Sequence, residues 1–361
     1  MTSIKNTAYG TTMRIGILGT RGIPNRYGGF EQCAEYLAVG LVKKGHEVFV
    51  YNSHNHEFQG DTWKGAHIVH CNDPEHKMGT AGQFFYDLNC IRDARSRKFD
   101  IVLQLGYTSS SIWYWYWPKH AVNIVNMDGL EWKRSKYSKK VQWFLRHAEK
   151  WAAKKGDLLI ADSLAIQQRL KAVYNRDSVF IPYGAELFST PGESELKKYM
   201  LKPFGYNLLI ARMEPENNIE TIIRGSIKSG DEKPLVIVSK TGNQFGQYLK
   251  TQFAQYDKIR FVDDSYNKSF IDNLRHYSYL YFHGHSVGGT NPSLLEAMAC
   301  NALIAAHDNV FNKTVLGNDA FYFKNETDIA KIIDEVRDKR DFSQMTARNC
   351  HKIVEQLKAY R

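Results

Sequence analysis

The chain has 361 residues, is 43% hydrophobic and 13% aromatic, and carries a formal charge of +10 at pH 7. It is too long for one ordinary core and long enough for two α/β domains of about 150–180 residues each, and its composition argues against disorder. The excess of cations points to an anionic partner, whether nucleotide diphosphate, nucleic acid or acidic membrane surface, without choosing among them. Cys33, Cys71, Cys90, Cys300 and Cys350 are scattered and form no C-x-x-C pair, which argues against zinc or redox chemistry and fits a reducing cytosol. Residues 1–12 have no apolar secretory core, and no stretch approaches the roughly 20 apolar residues of a membrane span. The expected location is cytoplasmic, with room for a peripheral position on the inner face of the cytoplasmic membrane.

In chain order, a β-rich run at 14–18 is followed by "GTRGIPNRYGGFEQ" at 19–32. Gly19, Gly22, Gly28 and Gly29 let backbone amides approach an anion, and the helix expected at 32–44 adds a favourable dipole. The spacing departs from G-x-G-x-x-G and lacks the Lys-Ser/Thr of a P-loop, so a nicotinamide cofactor is poorly supported. Further strands at 46–51, 100–105, 121–126 and 158–161 alternate with helical patterns, as in a parallel sheet covered by helices. Breakers Gly184, Pro191, Gly192 and Pro203 mark a linker at 184–205 between an N-terminal domain at 13–183 and a C-terminal one at 206–341. In the latter, strands are expected at 206–211, 234–239, 259–262 and 279–282, with a helix at 218–229. A terminal helix within 342–361 can pack on either domain, including back on the N-terminal one.

"HGHSVGGTNPSLLEAM" leaves the last of these strands at His283 and runs through Gly288, Gly289 and Thr290 into a helix carrying Glu296. Amides of such a loop can receive a diphosphate, and a carboxylate two turns into the helix can accept from ribose hydroxyls. Two glycine loops at the carboxyl ends of two parallel sheets imply a nucleotide bound in a cleft between domains.

In this order the first loop ending Gly28-Gly29, "GHEV" at 45–48, "ADS" at 161–163, "IPYG" at 181–184, Ala211-Arg212 and the late loop with Glu296 resemble the retaining glycosyltransferases of family four. More narrowly, "GTRGIPNRYGGFE", "NMDGLEWKR", "ARMEPENN" and "GHSVGGTNPSLLEAM" resemble the bacterial subgroup that includes β-1,4-rhamnosyltransferases of cell-surface polysaccharide assembly. The resemblance spans nearly the whole chain. It implies the α/β GT-B fold, with two Rossmann-like domains facing across a cleft, and transfer of a sugar, L-rhamnose from dTDP-L-rhamnose, to a lipid-diphosphate-linked saccharide. It implies no metal and no cofactor beyond the nucleotide-sugar. Two departures stand out. Gly288 lies eight positions before Glu296, where the family usually has the glutamate that meets the donor sugar, and Asn218 lies six after Arg212, where it commonly has a lysine. Diphosphate charge then falls to Lys240 or Arg21. Alternatives within and beyond the class are a UDP-hexose or UDP-N-acetylhexosamine donor, a nucleotide-sugar epimerase of the same fold and a nicotinamide dehydrogenase. A nucleic-acid-binding role has no recognisable module behind it.

Each candidate also has a plainer reading. Arg212, placed to clamp the phosphates and stabilise the leaving group, could be a surface ion pair with Glu214. Glu296, the expected ribose partner, could be a solvated helix residue. Gly28, Gly29, Gly288 and Gly289 could be turn glycines needing positive φ. Asp128, the expected catalytic carboxylate acting on the acceptor hydroxyl or an oxocarbenium-like transition state, could simply form a turn. Glu131, Glu214 and Asn217 are candidate sugar contacts, with Glu131 otherwise a partner of Lys133 or Arg134 and the "EPENN" residues otherwise helix caps. His54/His56 and His67/His70 have superficial metal spacing without supporting cysteines, so no metal is expected.

Residues 133–155 hold nine Lys or Arg against the single acid Glu149, with Trp143, Phe144 and Trp151 interleaved. A basic amphipathic helix of this kind can lie on an anionic membrane; a solvated charged face with its aromatics in the core is the plainer reading. In "SIWYWYWP", Trp113 and Trp117 share a face of an α-helix and could meet a lipid or a sugar.

Overall fold

The computed structural model describes residues 11–26, 28–134, 137–263, 267–287 and 289–359, with backbone only at 356–359. The chain divides into two compact units, 1–132 with 137–182, and 133–136 with 183–361.

The first unit is built on eight strands: β1 (Arg14–Leu18), β2 (Glu47–Ser53), β3 (Thr62–Trp63), β4 (Ala66–Cys71), β5 (Ile101–Leu105), β6 (Val122–Asn126), β7 (Leu158–Ala161) and β8 (Val179–Phe180). Their spatial order is β3-β4-β2-β1-β5-β6-β7-β8, and all pairings are parallel except the short β3–β4 ladder. Helices on both faces leave central strands such as RIGIL almost wholly buried, which is why the sequence reads as apolar runs rather than alternation. The strand order reverses between β1 and β5, the position where ligands commonly bind beyond the carboxyl ends of an open α/β sheet. Gly19 leaves β1 with φ +86°, and a Cβ there would lie 2.3 Å from the Leu105 carbonyl oxygen, so only glycine lets the two strand exits pass.

The second unit repeats the plan with β9 (Asn207–Ile210), β10 (Leu235–Val238), β11 (Ile259–Val262), β12 (Tyr281–His283), β13 (Ile304–His307) and β14 (Phe321–Phe323). These six run parallel in the order β11-β10-β9-β12-β13-β14. Alternate side chains feed two cores, Leu208, Tyr281 and Ile304 on one face of the sheet and Leu209, Phe282 and Ala305 on the other. The switch point lies between β9 and β12.

The terminal helix Ser343–Ala359 is seated on the second unit, one of the two placements that the sequence leaves open. Ile353 enters that unit's core, Arg348 Nε and Lys352 Nζ reach Asp319 at 2.6 and 2.8 Å, and Asn349 Nδ2 donates to the Asp319 carbonyl at 2.7 Å.

Candidate functional site

In the second unit the chain leaves β9 at exposed Arg212 and doubles back at once. The Glu214 amide and Asn217 Nδ2 both donate to the Arg212 carbonyl, at 2.7 and 2.8 Å. Asn218 takes φ +51°, and its Nδ2 crosses to the Gly284 carbonyl at 2.7 Å. Ser286 donates through its amide and hydroxyl to the Glu216 carbonyl, at 3.1 and 2.8 Å. The two loops come so close that a Cβ on Gly284 would lie 1.9 Å from the Asn217 carbonyl oxygen. The exits of β9 and β12 are therefore one rigid element at the switch point. Asn217 is a fastener of this element through its buried amide, which donates to the Arg212 carbonyl. Asn218 stands at the N-cap of the helix Ile219–Lys228 without capping it through its side chain, because that side chain holds the neighbouring loop. Glu214 is half-buried beside Arg212, and Lys240 is exposed past the end of β10.

Two histidines of this edge escaped the sequence reading. His283 ends β12 fully buried, with both ring nitrogens lacking a hydrogen-bond partner among the described residues, and its ring stacks on His285 at 4.5 Å between centroids. Burial pushes the His283 imidazole well down, with His285 adding to it. Burial and the positive charges of Arg212 and Arg134 push His285 down to about 3. Both rings are uncharged at neutral pH. Glu216, buried next to them, receives Arg134 Nη1 at 3.3 Å. The "HGH" at a strand exit was the available signal.

Glu296 rises from the helix Pro292–Ala299, whose start is capped by Asn291 Oδ1 accepting from the Ser293 amide at 2.9 Å. It is no solvated helix residue. Its Oε2 accepts from Nη2 of Arg275, a guanidinium only 3% exposed that also donates to Asp272 Oδ1 and Ser293 Oγ, each at 3.1 Å. Arg275 thereby fixes the orientation of the carboxylate. Thr290 is buried and Gly289 half-buried on the approach to this helix; Gly288 lies outside the described residues.

The first unit's glycine loop is arranged differently. The amides of Arg21, Ile23 and Asn25, which lie between the glycines, donate to Glu31 Oε1, Asn52 Oδ1 and Glu35 Oε2 at 2.8, 3.0 and 2.8 Å. Gly28, the N-cap of the helix Gly29–Lys43, is extended at φ −170°, a conformation open to any residue, so positive φ does not explain it. Arg21 pairs with Glu75 at 2.9 Å.

Asp128 follows β6 at φ +45°, its amide donating to Asn126 Oδ1 at 3.2 Å, and Glu131 opens the short 3-10 turn Glu131–Lys133. That turn is anchored by Glu149, which is buried and accepts from Trp132 Nε1 at 2.6 Å, Arg169 Nη2 at 2.9 Å and the Tyr174 hydroxyl at 2.9 Å. The histidine pairs have structural roles: His54 Nδ1 accepts from the Asp73 amide at 2.8 Å and His56 Nδ1 from the Phe58 amide at 3.1 Å, while His67 stacks on Phe49. Among the described residues no group of three or more His, Cys, Asp or Glu is placed to hold a metal ion.

Two parallel-sheet Rossmann-like units of this kind define the GT-B fold. By overall structure the chain is similar to a sucrose-phosphate synthase from Thermosynechococcus elongatus, with 14% identity over 95% of this chain and 94% of that one and a TM-score of 0.78. It is also similar to the Anabaena protein HepE in complex with UDP and glucose, at 16% identity, 95% of each chain and 0.72. A glycosyltransferase from Rickettsia africae gives 16% identity, 96% and 94% coverage and 0.67. Residues 12–186 match the model of a domain of unknown function, DUF1972. No curated protein matches the chain by sequence.

Proposed function

We propose that the chain is a retaining glycosyltransferase that takes a nucleotide-sugar, dTDP-L-rhamnose, and transfers the sugar to a lipid-diphosphate-linked saccharide at an anionic membrane surface during surface-polysaccharide assembly. The observation that carries this reading is the switch-point edge of the second unit, where Arg212 is exposed past the end of β9 and Arg275 orients the Glu296 carboxylate on the helix that follows β12. A guanidinium suits a diphosphate and its developing negative charge as the sugar bond breaks, and a fixed carboxylate suits a ribose diol. The amides approaching the helix at Gly289 and Thr290 add backbone donors, and Lys240 supplies a second cation. Structures of the same fold holding UDP and glucose support a nucleotide-sugar as the ligand class. Asp128 in this reading serves the acceptor hydroxyl or the oxocarbenium-like transition state, with Glu131 and Glu214 as sugar contacts. The rhamnose assignment rests on Gly288 standing where a sugar-binding glutamate is usual: a 6-deoxy sugar has one hydroxyl fewer to satisfy.

Calorimetry with dTDP, UDP and GDP tests the ligand class. Arg212→Ala and Glu296→Ala are expected to lose about 1.5–3 kcal/mol of diphosphate affinity each, and unchanged affinity in both removes the site. Transfer from dTDP-L-rhamnose to a lipid-linked N-acetylhexosamine, followed by mass spectrometry and NMR of the new linkage, is expected to exceed transfer from UDP-glucose and to give the β-rhamnoside. Asp128→Asn is expected to abolish most turnover with the fold intact. Preference for UDP-glucose overturns the donor, and an α-rhamnoside overturns retention.

A further inference from the structure

The helix Lys139–Lys155 turns its aromatic residues in opposite directions. Inward, Phe144 meets Phe84 at 5.6 Å between ring centroids, Phe144 meets Trp151 at 6.1 Å, and Leu145, Ala148 and Ala152 are buried. Outward stands Trp143, 63% exposed. At 100° per residue, positions 139, 140, 143, 147, 150 and 154 fall on one side of the helix, and Lys139, Lys140, Lys150 and Lys154 are all exposed. Trp143 therefore lies in the middle of a stripe of four lysines, its ring held against His147 at 4.0 Å. The helix's single acid, Glu149, points the other way into its buried cluster with Trp132 and Arg169, so nothing on this stripe offsets the positive charge. The neighbouring 3-10 turn Ser111–Tyr116 adds Trp115, 50% exposed, beside the helix through Tyr114, over which Lys155 lies at 5.0 Å. The expected Trp113–Trp117 face does not form: Trp117 is 4% exposed and Trp113 Nε1 donates to the Phe84 carbonyl at 2.8 Å.

We infer that this stripe docks the first unit on an anionic lipid bilayer, with Trp143 entering the headgroup region and the lysines meeting lipid phosphates. An indole with an apolar body and a polar edge is suited to that depth, and flanking lysines are attracted by the surface potential. The inference rests on the membrane part of the proposed function and deepens it by naming the surface on which a lipid-linked acceptor can be met; it fails or stands independently of the donor assignment.

The test is sedimentation of the full chain with extruded vesicles of phosphatidylcholine alone or mixed with phosphatidylglycerol. Binding is expected only to the mixed vesicles and is expected to fall by roughly tenfold as added salt screens the lysines. Trp143→Ala and a Lys139→Glu, Lys140→Glu, Lys150→Glu triple variant are each expected to lose about tenfold or more, with dTDP or UDP binding by calorimetry unchanged as the control for folding. Brominated acyl chains should quench more fluorescence in the parent than in Trp143→Phe. Equal binding to neutral vesicles, no binding to anionic ones, or undiminished binding by both variants overturns the inference. So does a concentration-dependent dimer in lipid-free solution that Trp143→Ala abolishes, since the stripe would then be covered by a second copy.

Discussion

The two units share a strand order around their switch points, yet treat the loops there in opposite ways. After β1, three of the loop's amides are taken by Glu31, Glu35 and Asn52, and the nearby cation Arg21 is paired with Glu75. After β9 and β12, backbone groups tie one loop to the other, Arg212 is left at the surface, and a carboxylate is aimed by a buried guanidinium. A glycine-rich turn following the first strand of a Rossmann-like unit is thus no sufficient sign of a phosphate site. What matters is which groups already occupy its amides, and helix carboxylates can do so as readily as a ligand.

The sharpest way to break this contrast is at Arg275. Replacing it by Met leaves Asp272 and Glu296 without their shared buried partner, with an expected loss of about 3–5 kcal/mol in urea denaturation. Adding Glu296→Gln should restore part of it, a non-additivity that marks direct coupling. A loss under 1 kcal/mol, well below that of about 3–5 kcal/mol, would mean that the guanidinium does not organise the edge. Gly284→Ala comes next: with its Cβ 1.9 Å from the Asn217 carbonyl, the two loops must separate, at an expected cost of about 1–3 kcal/mol accompanied by weaker nucleotide binding.

Acid sharpens the comparison further. His283 and His285 have folded values depressed below the ordinary 6.5, so the unfolded chain binds protons more readily than the folded one. Their contribution to stability is complete above about pH 6.5 and is lost as pH falls below it, by about 1.4 kcal/mol per pH unit for each ring. Urea midpoints at mildly acidic and neutral pH should differ less in His285→Gln than in the parent, and an identical pH dependence would show that this ring titrates normally. The smallest effect is reserved for the first loop. Gly28 is extended and a Cβ there meets only Glu31 Oε2 at 3.4 Å, so Gly28→Ala should change stability by less than about 0.5 kcal/mol and leave nucleotide affinity untouched.

Much of the sheet framework was legible because parallel strands buried on both faces are written as apolar runs: 14–18, 158–161 and 259–262 are β1, β7 and β11 to the residue. β13 escaped because Ile-Ala-Ala-His has little β-branched content to distinguish it from the helix before it. β4 was read only for its histidines. In the site, the helix bearing Glu296 was legible, but Arg275 was not, because it comes from a different helix at no fixed spacing. The aromatic run misled through its helix type. Its turn is 3-10, with three residues per turn, and ends at Tyr116, so the α-helical spacing of Trp113 and Trp117 has no meaning there and Trp117 folds inward.

The buried Glu149 cluster also says how the molecule can tolerate change. Glu149, Trp132, Arg169 and Tyr174 satisfy one another, with Arg146 and Arg169 lying over the Trp132 ring at 4.3 and 5.2 Å. In a mutational scan these positions accept substitutions only in concert, since removing one member strands the others away from water. The lysines on the opposite side of the same helix are interchangeable contributors to a total charge. A single helix thus carries two genetic vocabularies: one in which every position must agree with its neighbours, facing the loop of Asp128, and one in which only the sum counts, facing outward.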